Sequence, residues 1–517
     1  MGKFNFGAVR AAVASPVRTT GEVGVTEEGG AGYFRDTKSE LFLLAVVNMV
    51  RQTSYYEAGG ARDERYVRLV RAATVEDAGW TARFLKWLRG TANMRSASLV
   101  GAAEFAKARL GAGLHGMSRQ VVDSVLQRAD EPGEMLAYWT SMYGRAVPKP
   151  VKRGIADAVA RLYDERSVAK WNSDARAFRF GDVLELTHPV PRADWQGELF
   201  RHLLDVRHGH AGEIPGALEM LRARAELMAL PVEERRGAVT AEVLRRAGMT
   251  WEALAGWLQG PMDAAAWEAV IPSMGYMALL RNLRNFDQAG VSDEVAEWVA
   301  ARLADPERVA RSRQFPMRFL SAYRAAPSLR WGHALEKALA ASLSNVPELP
   351  GRTLVVIDRS PSMFPGSRFS TPNGSDVSLA DQAAVFGCAV AMRAQDATVV
   401  VYGGKSRVVD VPRGGALLRF IANLGGVIAY TDTAGAVDRH YRRHDRVVII
   451  TDEQSATAEA STAVPQSVPV YVWNIGGYRM GNTHVGLGTR HTFGGLTDAA
   501  FRMVPLLEAG RSADWPF

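Results

Sequence analysis

The 517-residue chain has one cysteine, Cys388. A lone thiol excludes an intramolecular disulfide framework and any multi-cysteine zinc site. It lies in the apolar helical run Ala384–Met392, which predicts a buried core thiol and a reducing, cytoplasmic compartment. Long hydrophobic runs are also lacking. No stretch approaches the roughly 18 apolar residues of a membrane span. Met1-Gly2-Lys3-Phe4-Asn5-Phe6 has no apolar core of a secretory signal, and Phe6 stands where myristoylation wants Ser or Thr. Acidic excess is absent too: the net charge is +7. That is a mild surplus over 517 residues, so it bears on a polyanionic partner only if it is gathered on one surface.

What is present divides into two patterns. From about 38 to 345 amphipathic helices follow one another, punctuated by Pro and Gly. Ser39–Val50 is apolar nearly all round, and Glu76–Leu88 places Trp80, Phe84, Trp87 and Leu88 at helical spacing. Gln120–Arg128, Val151–Tyr163, Gly197–Val206, Ala241–Ala247 and Val295–Leu303 continue the series. Short helices without a sheet predict a solenoid of degenerate HEAT-type pairs; a generic bundle is the alternative. After residue 350 β-branched runs (Thr353–Asp358, Ala397–Tyr402, Arg446–Thr451, Val468–Ile475) alternate with helical segments at Leu379–Arg393 and Thr433–Arg442. That alternation predicts a doubly wound α/β domain. The expected organisation is an N-terminal extension over 1–37, a helical module over 38–345 and an α/β domain over 351–517.

Oxygen donors gather at the predicted strand ends: Asp358, Ser360 and Ser362; then Thr431; then Asp452. A set of carboxylates and hydroxyls without His or Cys selects Mg²⁺, Mn²⁺ or Ca²⁺ over zinc, and few carboxylates suit Mg²⁺ best. In order and spacing the three segments resemble the metal-ion-dependent adhesion site of von Willebrand factor A domains. Those domains usually carry two glycines before the threonine, where this chain has Ala429 and Tyr430. No nucleophile, general base or second metal set accompanies the site, so no enzymatic activity is expected. Gly403-Gly404-Lys405-Ser406 looks like the end of a phosphate-binding loop but lacks its first glycine, and His208 and His210 lack a third ligand.

The helical half resembles the TROVE module of the Ro autoantigen family. The similarity lies in Thr53-Ser54-Tyr55-Tyr56, Arg128-Ala129-Asp130, Tyr143–Ala146 with Lys152–Ala156, Leu186–Pro189 and, most specifically, Ile271–Leu283. The resemblance implies a monomeric ring of HEAT-like repeats closed by the A domain, binding small non-coding Y-like RNA outside and single-stranded 3′ ends of misfolded RNA in its hole. A 3′-to-5′ exoribonuclease is the implied protein partner. Carried over by position, Lys170, Arg176 and His188 are the implied Y-RNA contacts. Independently of the family, Arg145, Lys149, Lys152 and Arg153 are spaced to meet phosphates, and Arg281 lies in the strongest matching segment. The rival reading is a protein–protein adaptor that captures a partner's carboxylate through the metal site.

Overall fold

The structure is a computed structural model, and it describes residues 13–47, 53–210, 212–364, 378–412, 416–486 and 488–517. The chain forms two compact units. One comprises residues 1–69, 315–317 and 342–517; the other comprises 70–314 and 318–341. The expected class, helical repeats plus an α/β domain, is what the chain adopts. The N-terminal boundary falls elsewhere, because residues 1–69 belong to the α/β unit and not to the helical one.

The α/β unit is built on a six-stranded sheet. Its strands are β3 (Leu349–Asp358), β4 (Ala394–Tyr402), β5 (Ser406–Val409), β6 (Arg446–Thr451), β7 (Val470–Asn474) and β9 (Arg490–Gly494). The spatial order is β5-β4-β3-β6-β7-β9, parallel except for the edge strand β5. Leu354–Asp358 and all of β6 are buried, as continuous β-branched runs in a covered parallel sheet require. Successive residues serve opposite faces. Leu354, Val356, Val447 and Ile449 pack with Ala436 and Val437 of the helix Thr433–His440. On the other face, the helix Leu379–Arg393 approaches so closely at Gly387 that a Cβ there would stand 2.5 Å from Ile357 Cδ1.

The N-terminal segment adds a second sheet. Strands β1 (Thr19–Val25) and β2 (Ala31–Arg35) form an antiparallel hairpin, and β8 (Met480–Gly481) pairs with β2. Arg35 anchors it, ion-paired to Glu453 at 2.5 Å with both side chains essentially unexposed. A helix follows at Thr37–Val47; residues 48–50, which the sequence also assigned to it, lie outside the described residues.

The helical unit contains each of the other predicted helical runs, with shifted ends. Glu76–Leu88 is interrupted: one helix ends at Glu76, and Asp77 caps a new one over Ala78–Gly90 by accepting from Trp80 N at 2.9 Å. Helix Ser118–Val125 stops short of Arg128. Helices Ser118–Val125 and Lys149–Leu162 nearly touch at Gly154, where a Cβ would lie 2.6 Å from Arg119 O. No described helix is long and apolar enough to cross a membrane.

Candidate metal centre and nucleic-acid interface

Five predicted donors converge at the carboxyl ends of β3 and β6 and in the loop before the helix Thr433–His440. Asp358, Ser360, Ser362, Thr431 and Asp452 are each at most 5% exposed. Asp358 Oδ1 accepts from Ser360 N at 2.8 Å, and its Oδ2 accepts from Thr451 Oγ1 at 2.6 Å and Tyr402 Oη at 3.1 Å. Ser360 Oγ and Ser362 Oγ are 3.2 Å apart. The sequence placed Thr451 in the third donor segment and Tyr402 at a strand end but assigned neither as a partner of Asp358; their places at the ends of β6 and β4 make them so.

The second loop is shaped by the glycines that looked like a phosphate loop. A Cβ on Gly403 would collide with Ile428 O at 2.3 Å, and Gly404 N donates to Ala429 O at 2.7 Å. Tyr430, standing where a glycine is usual, takes φ +68°, so the chain keeps the left-handed turn at the cost of some strain. That turn leads into Thr431, whose carbonyl accepts from Ala456 N at 3.0 Å on the segment that follows Asp452.

Two carboxylates, Asp358 and Asp452, are fully buried here. Among the described residues neither Asp358 nor Asp452 has an ion-pair partner, and Asp452 Oδ2 has no hydrogen-bond partner at all. Burial pushes both carboxyls above the usual carboxylate range, and the charge of Asp358 pushes Asp452 further. An orphaned buried carboxylate oxygen beside a second carboxylate and three hydroxyls fits a hard divalent cation. Among the described residues no cluster of three or more His, Cys, Asp or Glu offers a metal site, so an ion would rest on this mixed set.

The predicted RNA-facing residues fall into three groups. Arg145, Lys149, Lys152 and Arg153 stand at the start of the helix Lys149–Leu162, whose first turn holds no acid, and none has an ion pair among the described residues. Cations there run against the helix dipole and deepen its positive end. Arg281 is exposed on the helix Tyr276–Ala289. Burial, and then Arg281, pull the Arg318 guanidinium below its usual value. Arg176 is engaged: it pairs with Asp130 at 3.3 Å and Glu134 at 3.1 Å. Lys170 Nζ lies 4.7 Å from the Trp171 ring centre, on a ring that also carries Arg128 at 4.4 Å and Arg176 at 5.9 Å. His188 is exposed at the left-handed end (φ +49°) of the helix Phe180–Thr187.

Comparison with known proteins fits this architecture. Residues 244–331 match the TROVE domain family. The crystal structure of the Deinococcus radiodurans RO (RSR) protein superposes with a TM-score of 0.61 at 18% identity, covering 92% of this chain and 100% of that one. Telomerase protein component 1 of Mus musculus and that of Rattus norvegicus are each 44% identical over 62 residues. This is 12% of the chain and 2% of those proteins. Residues 244–331 thus resemble the TROVE domain, and the chain shares the fold of the Deinococcus radiodurans RO (RSR) protein.

Proposed function

We propose that the chain binds RNA without enzymatic activity, holding small Y-like RNA and single-stranded 3′ ends of misfolded RNA for quality control or decay. The TROVE match over residues 244–331 supports RNA as the partner class. The observation that carries the reading is the acid-free, ion-pair-free cationic turn at Lys149, Lys152 and Arg153, with Arg145 just before it. Such a turn attracts phosphate without reading sequence. Lys170, beside Trp171, extends the surface with a cation next to an aromatic face. In this reading the protein acts in the cytoplasm as a monomer and hands RNA ends to a 3′-to-5′ exoribonuclease.

Asp358, Ser360, Ser362, Thr431 and Asp452 would hold Mg²⁺, or Mn²⁺ or Ca²⁺ in its place. The ion, when bound, supplies a positive point that accepts an acidic side chain. This chain's residues bury the donors and orient Asp358 through Ser360 N, Thr451 and Tyr402. The second reading, a metal-dependent protein adaptor, is favoured by the orphaned Asp452 Oδ2 alone.

The test is a filter-binding titration at several salt concentrations. It compares a structured RNA with a single-stranded 3′ tail, the same RNA blunt-ended, and duplex DNA. Tight, tail-dependent and salt-sensitive binding is expected. Weak binding that treats all three alike overturns the RNA reading and leaves the adaptor.

A further inference from the structure

The metal site has a neighbour that the five donors do not include. The β1–β2 hairpin turn, Thr26–Gly30, lies on the segment that follows Asp452. Thr26 Oγ1 donates to Ser455 O at 2.6 Å, and Glu27 N donates to Gln454 Oε1 at 3.0 Å. A Cβ on Gly30 would meet Ser455 O at 2.3 Å and Thr457 O at 2.4 Å, so the turn sits flush there. Between these anchors is Glu28, half-buried, whose carboxylate accepts a short hydrogen bond from Tyr56 Oη. The Tyr56 ring packs edge-on against Tyr478, 5.4 Å between centres. A Cβ on Gly476 would lie 2.8 Å from both Asp452 Cβ and the Tyr478 ring, so the ring that Tyr56 packs against stands beside Asp452. A further carboxylate held near the buried Asp452 favours a cation between them. The unpartnered Asp452 Oδ2, fully buried, marks where that cation would be met.

We infer that Glu28, positioned by the Tyr56 hydroxyl, is an internal carboxylate at the mouth of the metal site, strengthening cation binding and excluding outside acidic ligands until it is displaced. This rests on the reading of the five donors as a metal site. The hairpin thereby acts as a resident occupant: a partner's Asp or Glu must compete with a carboxylate already tethered at high effective concentration.

The experiment uses the full chain, with Mn²⁺ alone as the metal probe and acetate as the carboxylate probe. Mn²⁺ affinity is read from the electron paramagnetic resonance of free ion. Acetate access is read from relaxation of its methyl protons by bound Mn²⁺. Wild type, Glu28→Gln, Tyr56→Phe and Asp358→Ala are compared, each first checked for folding by its metal-free melting curve. Glu28→Gln should weaken Mn²⁺ binding about tenfold, since a nearby unit charge in a half-buried site is worth at least that. At metal saturation it should also raise acetate relaxation several-fold. Tyr56→Phe, which keeps the ring but frees the carboxylate, should move both readouts the same way, and it serves alone if the first variant does not fold. If wild type binds Mn²⁺ and Asp358→Ala does not, while both hairpin variants match wild type, the inference is overturned and the metal site stands. If wild type binds no more Mn²⁺ than Asp358→Ala, the metal reading falls and the inference with it.

Discussion

Replacing Arg35 by methionine removes the cation facing Glu453 and keeps most of the apolar stem. The guanidinium is 0% exposed and the carboxylate 1%. The change deletes the 2.5 Å ion pair and the bond from Arg35 Nη1 to Tyr478 O at 2.9 Å. Glu453 would retain Asn474 Nδ2 at 2.5 Å, but its Oε1 already lacks a partner. Breaking a buried pair by removing one member costs about 3–5 kcal/mol, chiefly because the other charge stays buried and unmatched. Arg35→Met with Glu453→Gln removes both charges and should recover most of the loss. Native-state hydrogen exchange at amides of β3 and β6 in metal-free buffer reads the stability of this unit directly. A loss under about 1 kcal/mol would refute the claim that the pair fastens the hairpin to the sheet.

His491 on β9 stacks on Tyr471 at 5.6 Å, and burial, then Arg490, pull it down from 6.5 to about 4. Its stability contribution is full above pH 6.5 and lost as pH falls toward 4, up to roughly 3 kcal/mol, so acid denaturation of His491→Phe should start at lower pH. Charge reversal at Lys149, Lys152 or Arg153 should weaken RNA binding and lower the logarithmic salt slope by about 1 each in filter binding. Arg176→Glu should instead destabilise the helical unit in thermal melts, because it sets a carboxylate against Asp130 and Glu134. Saturating Mg²⁺ at a hundredfold over its dissociation constant should stabilise wild type by about 2.7 kcal/mol in unfolding assays, and Asp358→Ala should erase that gain while leaving RNA affinity intact.

Much of this was legible because burial writes itself into composition. Strands β3 and β6 read as continuous β-branched runs since both faces are covered, and Leu379–Arg393 has the bounds the sequence assigned. The candidate donors could be picked out because each sits beside a recognisable strand or helix end. The β1–β2 hairpin was not, since Val23 and Val25 are exposed and its third strand, β8, comes from far along the chain. Only the turn residues Glu27-Glu28-Gly29-Gly30 offered a local signal. The helix break at Asp77 is marked only by the capping residue itself and Gly79, neither of which by itself ends a helix. The engagement of Arg176 by Asp130 and Glu134 is a tertiary fact that residue type alone does not carry.

The pairing of Tyr33 with Gly481 has a consequence for biosynthesis. At ribosomal speeds of about 5–20 residues per second, the hairpin waits on the order of 20–90 seconds before its third strand exists. Throughout that interval the far edge of Ala31–Arg35 offers unpaired backbone groups, and Arg35 has no counter-charge. A fragment cut at residue 351 would inherit the opposite defect, carrying Glu453 without its guanidinium. The α/β unit is completed late, by an early segment kept in reserve.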